Sequence, residues 1–291
     1  MAKPTEVPGL DARTRTRTGG QRLISARLAD VRRYEQPLQT RIDSEAVHDM
    51  RVAANRLRAA LRLFGNHRVR EMQREVKRLQ DALGEVRDGQ VEIAWLEGQK
   101  RPGDGEAIRM LLAQRRAALQ EKEAALEPEM KRWTARTAPE IEQVLSRVGG
   151  DRRLGGGRTR SALKTQVQAV RKKLAASRNT WKPSALHKLR IEIKRLRYTA
   201  ELLTPALEKQ VVAFLDRLPP VQSKLGDLHD EDVRLTLLDG FMRGSPREWH
   251  AALKRVIRQV RERRRRRLAT VRRIFRRWER GDLLREWMKS L

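Results

Sequence analysis

The chain contains two copies of one unit, so whatever fold it adopts has to be built twice. Shifted by 139 residues, VHDMRVAANRLRAALRLF (47–64) falls on LHKLRIEIKRLRYTAELL (186–203). His48 then meets His187, Arg51 meets Arg190, Arg56 meets Arg195 and Arg58 meets Arg197. At the same offset Ile24, Leu28, Val31 and Arg32 meet Leu163, Val167, Val170 and Arg171, which extends the duplication to the preceding segment. A later block, LQDALGEVRDGQV (79–91), matches VQSKLGDLHDEDV (221–233) at an offset of 142, implying a three-residue difference in the loop between. Self-similarity on this scale marks a supersecondary unit copied whole. The copies are expected at about 21–148 and 158–285, with a glycine-rich linker over 149–157.

Within each copy the apolar residues keep a helical period. Ile24, Leu28, Val31 and Leu38 form one stripe, and Val47, Met50, Ala54, Leu57, Leu61 and Phe64 form another. No segment shows the alternation of a strand, so the expected class is all-α. Further helices are expected at about 67–86, 90–98, 105–133, 158–178, 184–203, 206–218, 222–242 and 247–279, punctuated by Pro183, Pro205, Pro219, Pro220 and Gly244-Ser245-Pro246. Residues 1–20, MAKPTEVPGLDARTRTRTGG, have no apolar period and are expected to be a disordered basic arm.

Charge then narrows the function. The 66 Lys and Arg against 37 Asp and Glu leave a formal charge of +29, and self-repulsion of that size opposes a compact state unless a partner answers it. A polyanion is the expected partner. With 39% hydrophobic residues the helices can still bury a sizeable core. The absence of cysteine excludes disulfides and thiolate metal sites. No stretch approaches the roughly 18 apolar residues of a membrane span, and the N-terminus has no apolar leader, so a soluble intracellular protein is expected.

The repeated motif carries the chemistry. On a helix starting at His187, Arg190 lies at about −60°, Lys194 at about −20° and Arg197 at about −80°, so the four share one face. Leu186, Leu189, Ile193, Leu196 and Leu203 lie between roughly 160° and 260°, which places the cationic stripe beside the core face. In the first copy His48, Arg51, Asn55, Arg58 and Arg62 make the same stripe, whereas Arg56 and Arg195 project from the opposite flank. Like charges at such spacings work against the helix that carries them. One cation per turn, a rise of about 5.4 Å, suits a ligand with a linear row of negative charges. Arginine offers a planar fork for phosphate oxygens, lysine a mobile charge, and histidine a donor that titrates near neutrality. The bland reading is a solvated face whose long side chains cover apolar surface. Two histidines heading the same stripe at matched positions speak for binding.

The pattern H-x-x-R followed by K-R-x-R-Y in LHKLRIEIKRLRY, with L-G-x-x-x-D at Leu225, Gly226 and Asp230, resembles the CHAD family, the conserved histidine α-helical domain. The resemblance runs from about residue 20 to 280 and includes the family's internal duplication. It implies two four-helix bundles related by a pseudo-two-fold axis, with a basic groove or pore between them that binds inorganic polyphosphate. It further implies a non-catalytic protein gathered on polyphosphate granules in the cytoplasm. Carried over by position, the implied contacts are His48, Arg51, Arg56 and Arg58, and His187, Arg190, Lys194, Arg195 and Arg197. Asn55 stands where the second copy has Lys194, leaving that half one charge short. Glu201 matches Arg62 and is expected to pair with Arg197, outside the site. Arg32, Arg171, Lys77, Arg78 and Lys224 are weaker candidates. Gly84 and Gly226 are expected at a close helix approach or a bend.

Other signals are less specific. DLHDED (227–232) clusters one histidine with four acids, but its counterpart EVRDGQ lacks the histidine and the last two acids, so a helix N-terminus favoured by its dipole is expected there, with no metal and no cofactor. RERRRRR (261–267) either widens the electropositive surface or is solvated. Trp133, Trp181, Trp249 and Trp278 fall near helix ends, where packing is expected rather than base stacking. Of the E-x-E-x-K signature that marks triphosphate-processing domains fused to some CHAD chains, RIEIK offers only Glu192 and Lys194, with Arg190 in place of the first acid, and no strand-rich region exists to carry the motif, so no catalytic half is expected. The main competing reading is a non-specific nucleic-acid binder, which charge alone supports. The third is a phosphotransfer enzyme using His48 or His187, which phosphohistidine detection would reveal.

Overall fold

The computed structural model describes residues 3–65, 69–99 and 105–291, and the described residues are almost entirely helical. The helices are α1 (Thr16–Arg32), α2 (Glu35–Thr40), α3 (Ser44–Phe64), α4 (Val69–Glu97), α5 (Gly105–Arg132), α6 (Ala138–Val144), α7 (Gly157–Arg178), α8 (Pro183–Leu203), α9 (Lys209–Leu215), α10 (Leu218–Arg243), α11 (His250–Arg280) and α12 (Leu283–Ser290). Local chemistry sets their ends. α3 starts where the Asp43 carboxylate accepts hydrogen bonds from the N–H groups of Glu45 and Ala46, at 2.9 and 3.0 Å. Pro219 and Pro220, expected to separate helices, lie instead in the first turn of α10, where a missing N–H costs nothing. The expected helices at 67–86 and 90–98 are one helix, α4, which runs through Gly89 where that residue is buried against Leu119. Residues 67 and 68 of that expectation lie outside the described residues.

The chain packs as two compact units whose borders ignore the repeat boundaries. The first comprises Met1–Val91, Arg116–Ala162 and Tyr198–Leu207, and the second Glu92–Arg115, Leu163–Arg197 and Glu208–Leu291. In the first unit the apolar stripe of α3 is buried as its period requires, with Val47, Met50, Ala54, Leu57 and Leu61 fully covered. In the second, Leu186, Leu189, Ile193 and Leu196 of α8 are equally buried, and Leu96, Ile108 and Leu111 pack with Leu238, Leu253 and Ile257. Burying one such leucine contributes about 1.5–3 kcal/mol.

The segment expected as a disordered arm has structure. α1 begins at Thr16, inside it, and Thr5 donates through its N–H to the Asp30 carboxylate at 3.2 Å. Asp30 also pairs at 3.2 Å with Arg27, and both are buried. The glycine-rich stretch is no free spacer either. The Thr16 N–H donates to Arg152 O at 2.6 Å, the Leu154 N–H to Thr14 O at 2.8 Å and the Gly155 N–H to Ala12 O at 2.9 Å. A Cβ on Gly19 would lie 2.7 Å from Leu154, and one on Gly20 would lie 2.9 Å from Phe64, so only glycine lets α1 approach both. Backbone pairing and glycine contacts leave no apolar period, which is why neither segment could be read as ordered.

Candidate anion-binding stripes

In the first unit α3 lies against α4, and the stripe is held from below. The Arg51 guanidinium passes over Gly84, whose added Cβ would be 3.7 Å from Arg51 Nε, and reaches Asp88 Oδ1 at 3.4 Å. Two turns on, Arg58 Nη1 donates to Gln80 Oε1 at 2.5 Å. His48 is half-buried at the head of the stripe, beside Arg87, whose guanidinium donates to Ser44 Oγ. Asn55 turns back on its own helix and donates to Arg51 O at 2.7 Å.

The second unit repeats this arrangement with α8 and α10. An added Cβ on Gly226 would lie 3.9 Å from Arg190 Nε, and Asp230 lies in the field of the Arg190 charge. Arg197 Nη1 donates to Gln222 Oε1 at 3.3 Å. His187 packs against His229 with ring centroids 4.7 Å apart and planes tilted by 47°. Nδ1 of His187 is buried without a hydrogen-bond partner.

The correspondence is position by position. Gln80 and Gln222, Gly84 and Gly226, Arg87 and His229, and Asp88 and Asp230 are all related by the 142-residue offset. The glycines are therefore shelves for an arginine rather than points of helix approach. Arg87, His229 and the two glutamines were missed from sequence, although the second offset already aligned them. Only the distance across the helix pair shows that they touch the stripe.

Not every expected contact joins the stripes. Arg56 is buried, lies over the Tyr198 ring at 5.9 Å and pairs with Glu201 at 3.1 Å. Glu201 thus engages Arg56 and not Arg197 as expected. Arg195, on the outer flank of α8, pairs with Glu192 at 2.8 Å. Lys194 is half-buried on the stripe and Arg62 exposed at its end. Among the weaker candidates, Arg32 pairs with Glu142 at 3.1 Å, Arg78 with Glu129 at 2.8 Å, Lys224 with Asp227 at 3.5 Å and Lys77 with Asp81, while Arg171 is exposed on α7.

Burial lowers the pKa of His48, helped by Arg87 and Arg51 and opposed by Asp49. Burial likewise lowers that of His187, with Arg190 adding to it. Burial raises the pKa of Asp230, against the pull of Arg234 and Arg190. The acidic segment beyond it is a clamp. Glu231, fully buried, receives Arg234 at 3.0 Å, Arg267 at 3.1 Å and Arg263 at 3.4 Å, and Asp232 receives Arg264. With Arg261 pairing to Asp239 at 3.8 Å, four of the six arginines of the C-terminal run are engaged with α10. Among the described residues no group of three or more histidine or carboxylate side chains could hold a metal, and no helix is long and apolar enough to cross a membrane.

A family model described as the CHAD domain matches residues 22–239. Among solved structures, the crystal structure of the CHAD domain from the plant Ricinus communis is 22% identical, with a TM-score of 0.68 over 100% of this chain and 97% of that one. PptA from Streptomyces chartreusis is 16% identical, with a TM-score of 0.71 over 90% of this chain and 100% of that one. At such identities the likeness concerns the fold. A comparison with curated proteins found no match.

Proposed function

We propose that this chain, which belongs to the CHAD family, captures inorganic polyphosphate on the His/Arg stripes of α3 and α8 and holds it without turning it over. The observation that carries this reading is the double construction of one cationic assembly. Arginines i and i+7 of each stripe, Arg51 with Arg58 and Arg190 with Arg197, are braced by a glycine shelf and a glutamine from the neighbouring helix. A braced guanidinium loses little further freedom when it meets a phosphate oxygen, so more of the charge-assisted hydrogen bond becomes affinity. Core packing alone gives no reason to build the same row of like charges twice.

Capture begins with the long-range field of a +29 chain and ends in hydrogen bonds from the forks, with Lys194, His48 and His187 completing the rows. The one E-x-E-x-K match in the chain, Glu127 to Lys131, lies inside helix α5 rather than on a strand, with Glu127 paired to Lys131 and Glu129 to Arg78, which favours retention over hydrolysis. Such a protein would follow its ligand to polyphosphate granules.

The test is titration of the purified protein with long-chain polyphosphate at near-physiological salt, with duplex DNA as competitor. Tight binding that excess DNA leaves in place, with no orthophosphate released, is the expected result. Equal displacement by DNA would assign the stripes to phosphate charge in general, and release of orthophosphate would overturn the non-catalytic reading.

A further inference from the structure

A second site, independent of the stripes, lies in the second unit where the end of α7 meets α11. A cavity of about 380 Å³ is lined by Arg178, Trp181, Arg272, Phe275, Arg276 and Glu279. Its size is that of a small-molecule pocket. Its walls combine aromatic rings with arginines. Phe275 is buried beneath, the Trp181 ring is half-buried at the side, and the Arg272 guanidinium lies over that ring at 5.2 Å. Arg276 is exposed at the rim, and Glu279 fixes Arg178 at 3.3 Å.

Trp181 is held there against its backbone preference. Its φ is +49°, a left-handed conformation at the C-terminal end of α7 that normally falls to glycine or asparagine. The Trp181 N–H closes the turn by donating to Ser177 O at 2.7 Å, which orients the ring towards α11. A bulky aromatic in such a position is the kind of local strain that accumulates at ligand sites.

We propose that this pocket binds a nucleotide, its base displacing the Arg272 guanidinium from the Trp181 ring and its phosphates held by the freed Arg272 and by Arg276. A bare phosphate chain has no use for an aromatic floor, whereas a nucleoside phosphate uses both parts of the lining. α11 from Arg272 to Glu279 lies beyond residues 22–239, so the pocket joins a helix of the matched region to one outside it.

The experiment is titration of the full chain, in a chelator-containing buffer, with ATP and with inorganic triphosphate, read by calorimetry and tryptophan fluorescence. ATP is expected to bind about tenfold or more tightly, the contribution of one base–aromatic stack, and to quench the fluorescence. Trp181→Asn, which keeps a residue tolerant of the left-handed backbone, is expected to erase that preference. Arg276→Glu, at an exposed position that leaves the core intact, is expected to weaken ATP binding at least tenfold. Arg190→Ala/Arg197→Ala is expected to keep the preference for ATP. Equal affinity for ATP and triphosphate, an unchanged Trp181→Asn or Arg276→Glu protein, or loss of the preference in the stripe variant would each overturn the assignment, whatever the outcome with polyphosphate.

Discussion

At the residue scale the two units separate groups that look alike in sequence. Arg51 and Arg56 are both repeated arginines of α3, yet the first lies half-buried on a glycine shelf and the second is buried against Glu201. Arg56→Met should therefore cost about 1.5–3 kcal/mol of stability, read by urea unfolding, and leave polyphosphate affinity unchanged. Arg190→Ala/Lys194→Ala/Arg197→Ala should do the reverse, losing affinity while circular dichroism stays native. The glycine shelves make a finer test. A Cβ at Gly84 or Gly226 would sit at ordinary contact distance, so Gly226→Ala should gain up to about 1 kcal/mol of helix stability, whereas Gly226→Val should displace Arg190 and weaken binding. The histidines set a pH dependence. Their folded pKa values lie below the usual 6.5, so the unfolded chain takes up protons first as the pH falls through about 6.5, and their contribution to stability is lost on acidification. A bound polyanion favours the charged ring. Polyphosphate affinity should thus rise as the pH falls from 7.5 to 6, and His48→Gln/His187→Gln should flatten that rise.

At the scale of elements, the two copies diverge where a single position changes its job. Gly89 packs beneath Leu119, but its counterpart Glu231 is buried and gathers Arg234, Arg263 and Arg267. That carboxylate joins α10 to the most basic helix of the chain. Replacing it by glutamine leaves three arginines facing a neutral group at a buried point. Glu231→Gln should destabilise the protein by about 3–5 kcal/mol in chemical denaturation, far more than Asp232→Asn nearer the surface. The run RERRRRR is consequently less of a free charge reservoir than its composition suggests.

For the whole molecule, salt should act in opposite directions on folding and on binding. Screening relieves the self-repulsion of a +29 chain, so the melting temperature of the free protein should rise with added salt. The same screening should make log Kd for polyphosphate climb steeply with log salt. A salt-independent binding constant would contradict electrostatic capture. The sequence by itself determined the all-α class, the duplicated unit, the apolar faces of α3 and α8 and the stripes beside them, because helical period and repetition are local properties written along one chain. It could not reveal that residues 3–20 and 149–157 pair through their backbones, nor that residues 92–115 and 198–207 pack away from their own repeats. Nor could it separate buried Arg56 from half-buried Arg51, or bring Gln80, Arg87, Gln222 and His229 to the stripes. Those facts depend on which side chains meet across helices, and only tertiary packing, where burial and distance decide the partner of every charge, could settle them.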